Sequence, residues 1–195
     1  TISNKIIAGN SAGDCYLANF IDFARVSVMM CGCFFLAYLC VGIPLLGSFS
    51  IDLKTALQFL LTVIFLSIAF SSIYNLIAML STNKAVTAVI CILLAFMFLF
   101  IGMQLNQMLN QLETVIGMTD AEGVAAYEEF PNPDYLNGEE RRIVQIACDV
   151  IPGGQVAHCV SLDVVNLPML PVYSLIIILL TTGIGLFCFK KKDIN

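Results

Sequence analysis

Charge is what this sequence has least of. Aspartate, glutamate, lysine and arginine make up 12% of its 195 residues and apolar side chains 59%, where a soluble domain carries about 25% and about 45–50%. So few ionisable groups cannot cover a water-soluble globule of this size, which excludes an ordinary soluble domain. Cations are the scarcer sign, with 9 Lys and Arg against 14 Asp and Glu and a net charge of −5. A nucleic-acid binder needs a basic face to neutralise phosphates, so no nucleic-acid partner is expected. Histidine occurs once, as His158, which removes most catalytic triads and most metal sites. Also missing are a phosphate-binding glycine loop ending in Lys-Ser/Thr, a nucleophile elbow and an HExxH. We therefore expect no catalytic residue, no metal site and no cofactor in this chain.

What the sequence has instead is apolar length. Residues 26–46, 55–80 and 85–109 are free of charge, and the shorter 171–189 carries SLIIILLTTGIGLF. A helix rises 1.5 Å per residue and a bilayer core is about 30 Å thick, so about 20 such residues cross it. A buried helix of a soluble core would be shorter and show a polar stripe. The expected fold is all-α: a polytopic helical membrane protein with four transmembrane helices, embedded in the cell membrane among lipid. Lysines 190, 191 and 192 follow the last run directly, which places that end in the cytoplasm. Four crossings return the start of the chain to the same side, so Lys5, Arg25 and Lys84 are inside, and Lys54, Arg141 and Arg142 outside.

Within the runs the polar side chains of note are Asn75, Gln104, Asn106 and Gln107. In lipid such groups seek partners on neighbouring helices; Asn75 and Gln104 are read either that way or as lining a substrate path. No run holds an ionisable group in its interior, so an ion pump or proton relay lacks its usual apparatus. Cys31-Gly32-Cys33 reads as a small-residue stretch for close helix contact.

The connection at 113–170 holds ten carboxylates and two arginines and is too long for a simple link. It is expected outside the cell as a cap of short helices. Asn137 is placed to cap a helix with Glu139 and Glu140 in its first turn. Ile143, Ile146, Ala147 and Val150 then recur at helical spacing, and Pro152-Gly153-Gly154 ends it. PNPDYLNG at 131–138 is turn-forming. Cys148 and Cys159 are candidates for a disulfide or for two unpaired thiols.

The opening TISNKIIAGNSAGDCYLANFI, residues 1–21, resembles the cytoplasmic connection of ABC-transporter permeases of the ABC-2 export class. The resemblance runs through Thr1, Ile2, Asn4, Lys5, Ile7, Gly9, Ser11, Tyr16, Leu17 and Asn19. Ser3 stands where arginine is common, and Asn10 where histidine is. DVIPGGQVAHC from Asp149, DVVNLPMLPVYS from Asp163 and GIGLFCFKKKDIN at 183–195 are similar to that class's last outer helix and closing span. The resemblance implies a six-span permease, of which this chain is expected to hold the third to sixth spans. It also implies a second copy or paralogue, and an ABC ATPase subunit that carries ATP and Mg. Residues 1–24 would be the coupling segment, with Asn4, Lys5, Ile6, Ile7, Gly9 and Ser11 at the ATPase; the spans and long connection follow, and 190–195 form a cytoplasmic tail. Export of a peptide, lipid or drug-like compound is the expected function. A non-transporting membrane sensor or immunity component is the alternative.

Overall fold

The computed structural model describes residues 11–47, 51–121, 124–162 and 164–192. It is predominantly helical, with four helices long and apolar enough to cross a membrane. Of the expected coupling residues, Asn4, Lys5, Ile6, Ile7 and Gly9 lie outside the described residues.

Helix α1 (Ala12–Ala37) starts at Ser11, whose hydroxyl accepts from the Asp14 amide at 3.1 Å, satisfying one of the unpaired first-turn donors. It runs without a break through Arg25, which meets Asp22 at 3.9 Å, both side chains exposed. A π-turn, Tyr38–Gly42, carries it into the short α2 (Ile43–Leu46). Pro44 has no N–H to offer the carbonyl of Cys40, and the ladder is taken up one residue wider, Ile43 N–H donating to the Tyr38 carbonyl. Ala12–Leu45 is thus one rod of 34 residues, about 50 Å at 1.5 Å per residue. The run at 26–46 is its second part only.

Asp52 caps α3 (Leu53–Leu80) through the Thr55 amide at 3.1 Å; these hydrogen bonds hold its carboxyl below the usual range. Asn83 caps α4 (Lys84–Leu109) through the amides of Ala85 and Val86. The last long helix, α7 (Leu170–Lys192), follows a 3-10 turn at Leu167–Met169. Helix α3 packs between α1 and α7 and touches α4 little.

The connection between α4 and α7 departs from the expected purely helical cap. It opens with an antiparallel hairpin, β1 (Thr114–Ala121) and β2 (Val124–Pro131), in register from Thr114↔Pro131 to Ala121↔Val124. Thr, Val and Ile in one strand and Val, Tyr and Phe in the other are strand formers. The Phe130 ring lies over Gly117, where an added Cβ would sit 2.8 Å from it, so the ring covers the gap a glycine leaves in a strand.

Two helices follow, α5 (Gly138–Val150) and α6 (Pro152–Ser161), bent by 97°. Asn137 occupies the cap position of α5, but its side chain makes no capping bond; Gly138 instead turns the chain with φ +53°, a conformation open to glycine. The Pro-Gly-Gly stretch ends α5 as expected and also begins α6, because proline fits the first turn of a helix, where its missing N–H has no intrahelical partner to lose.

Candidate functional site

Polar residues of three of the long helices gather on one seam, where α1, α3 and α7 meet. Asn75 is fully buried and accepts from Asn19 Nδ2 at 2.6 Å. Ser27 and Ser71 share a hydrogen bond of 2.6 Å, and Ser72 bonds Thr181. Tyr16, also fully buried, donates to the Thr181 carbonyl at 3.4 Å and stacks its ring 5.7 Å from that of Phe189. Its place exists because residue 185 is glycine: a Cβ there would lie 2.2 Å from the ring. Asn75 is thus an interhelical contact, as one of its two readings held. Its amide Nδ2 makes no hydrogen bond of good geometry among the described residues. Tyr16 and Asn19, matched by resemblance alone in the sequence, are the side chains that bind the start of α1 to the other two helices. Ser11, grouped with the coupling residues, caps this helix.

A second assembly ties α4 to the bent pair. Gly102 and Gly153 meet backbone on backbone, a Cβ on Gly102 falling 2.0 Å from the Gly153 carbonyl oxygen and one on Gly153 falling 1.8 Å from that of Phe98. Behind this crossing lies a buried polar network. His158 Nε2 is 3.0 Å from the Asp149 carboxylate, both side chains under 5% exposed. Gln145 donates to the same carboxylate at 2.9 Å, Gln155 to the Asp149 carbonyl at 2.9 Å, and Ser174 to Gln155 Oε1 at 2.7 Å. The network joins α5, α6 and α7. Burial alone would favour a neutral imidazole, but hydrogen bonding to Asp149 and Cys148 outweighs it and His158 is pushed up to about 10, so the ring is cationic at neutral pH.

Cys148 and Cys159 are free thiols. Cys148 is fully buried beside His158, and burial pushes Cys159 up to about 11, which leaves it protonated and unreactive at neutral pH. Of the two readings left open for this pair, the structure holds them unpaired, with Cys148 hydrogen-bonded to His158. At the Cys31-Gly32-Cys33 stretch a Cβ on Gly32 would meet nothing within 4 Å among the described residues, so no described helix of this chain packs closely on that glycine.

Beyond the Gly102–Gly153 crossing α4 and α6 diverge and leave a groove of about 690 Å³. Gln104 lines it, together with Asn106 and Gln107 of the same helix and Asn110 and Gln111 just beyond its end. Compared with protein-family models, curated proteins and solved structures, the chain matches none.

Proposed function

We propose that this chain is the membrane-spanning part of an ATP-driven ABC-2-class exporter, moving a peptide, lipid or drug-like compound across the cytoplasmic membrane. In this reading it works with a second permease copy or paralogue and with an ATPase subunit that supplies ATP and Mg chemistry. Residues 1–11 dock on that ATPase from the cytoplasm, and the connection at 113–170 lies outside.

The observation that carries the reading is the seating of Tyr16 and Asn19. The segment that resembles a coupling connection leads into a helix whose first turns are wedged between α3 and α7 by a ring against Gly185 and an Asn19–Asn75 bond. A push on residues 1–11 therefore reaches two further long helices through packed contacts, which is what a rigid-body rearrangement between inward and outward states requires.

The test is a mild-detergent pull-down of the tagged protein in its native membrane, wild type against the pair Ile6→Asp and Ile7→Asp, since charge in a buried groove contact costs several kcal/mol. An ATPase that co-purifies with wild type and is released by the pair supports the proposal. Absence of an ATPase from both refutes it. Transport by the reconstituted complex separates an exporter from a sensor.

A further inference from the structure

We infer that the groove between α4 and α6 is a binding site for an uncharged amphipath carrying an amide, such as an acylated peptide. The closed end of the groove is set by the Gly102–Gly153 crossing, and from there its walls are Leu99 and Met103 on one side and Val156 and Val160 on the other. Met103 is 68% and Val160 79% exposed, so no other part of the described chain covers them.

Toward the open end the lining changes from apolar to carboxamide. Gln104 and Gln107, one turn apart on α4, line it with Asn106, and Asn110 and Gln111 continue the lining just past the helix end. Among the described residues only Gln111 has a protein partner, accepting from Asn132 Nδ2 at 3.4 Å. Gln104, Gln107 and Asn110 stand at the mouth with donors and acceptors to offer.

Three features fix the ligand's chemistry. Among the described residues no Asp, Glu, Lys, Arg or His lines the groove, so a charged group seated between the helices would lose water and gain no counter-ion from them. Each carboxamide is both donor and acceptor, and an amide answers with its own N–H and C=O, whereas an ester leaves the acceptors unanswered and a hydrocarbon leaves both. The gradient from Leu99 and Val156 to Gln107 and Gln111 orders the ligand with its chain inward and its amide at the mouth. Its volume falls in the ordinary range for small-molecule sites, about 300–1,000 Å³.

The site names the substrate class if the exporter reading holds. Binding requires no ATPase, so failure here and failure of the pull-down are separate results.

The chain contains no tryptophan, and Met103→Trp gives a single reporter inside the groove. In nanodiscs of unbrominated phosphatidylcholine, three probes sharing a dibrominated stearoyl chain are titrated: its glycinamide conjugate, the free carboxylate and the methyl ester. The glycinamide is expected to quench saturably with a half-point at least about tenfold below the others, a difference of about 1.4 kcal/mol. Gln104→Met with Gln107→Met, near-isosteric changes that retain packing, are expected to bring the glycinamide to the level of the ester. Phe34→Trp, on an exposed position of α1, reports ordinary partitioning and is expected to show three similar, unsaturated curves. Coincident curves at Met103→Trp, or a preference the methionine pair leaves intact, overturn the inference and make the groove a seat for any acyl chain. No quenching by any probe overturns it as well, and means another protein segment covers the groove.

Discussion

Gly153→Ala puts one methyl group at the point where α6 crosses α4. The new Cβ would lie 1.8 Å from the Phe98 carbonyl oxygen and 2.6 Å from its carbon. Carbon and oxygen rest at about 3.3–3.6 Å, so the two helices must part by about 1.5 Å. Both partners are backbone, and no rotamer can absorb the strain. Overpacking costs about 1–3 kcal/mol, and a contact without side-chain relief belongs near about 3. The gain from replacing a helical glycine offsets at most about 1 kcal/mol of that. Parting also weakens dispersion contacts, a principal attraction between helices in lipid. A net loss of about 2–3 kcal/mol lowers the unfolding midpoint by about 4–12 °C in a chain of this size. The assay is thermal unfolding in detergent with a thiol-reactive dye, because Cys148 is fully buried beside this crossing. Gly153→Ala should unfold earlier and expose Cys148 to the dye at 25 °C. Gly183→Ala, where the added methyl meets nothing within 4 Å, should not. A Gly153→Ala protein with the wild-type midpoint and a protected Cys148 would refute the backbone-on-backbone crossing.

Two further outcomes use the same assay. Asn19→Leu removes the hydrogen-bond donor that meets the fully buried Asn75 carbonyl oxygen, and is expected to cost about 1 kcal/mol, between the penalty for an orphaned buried group and the smaller couplings measured in bilayers. Adding Asn75→Leu should recover part of that loss, and an additive loss would show that the two amides are not coupled. For His158, the ordinary value of 6.5 is raised to about 10 in the folded chain. The pair with Asp149 therefore contributes fully below about pH 6.5, and its contribution is lost as pH rises through about 10. The stability difference between wild type and His158→Gln should shrink over that window, and a difference constant with pH would contradict a charged His158.

The four long apolar helices, each long enough to cross a membrane, were legible in the sequence because length and lack of charge are local properties of the chain. So was the end of α5 before Pro152. The hairpin was legible in principle: Thr114–Val115–Ile116 and Tyr127–Glu128–Glu129–Phe130 carry strand formers on either side of a short link containing Gly123. The lack of strict alternation between apolar and polar residues hid it.

Partnership was not legible. Asn75 could be read as a bond or a lining, and only the packing of α1 against α3 brought Asn19 to it. Glycines look alike in a sequence, yet Gly153 and Gly185 sit under another group while Gly32 and Gly183 face open space. Likewise Cys148, read with Cys159, turns toward His158. The sequence by itself determined which segments leave water, because transfer free energy is summed residue by residue. Which faces then meet depends on the fit of surfaces far apart in the chain, and that only the tertiary structure decided.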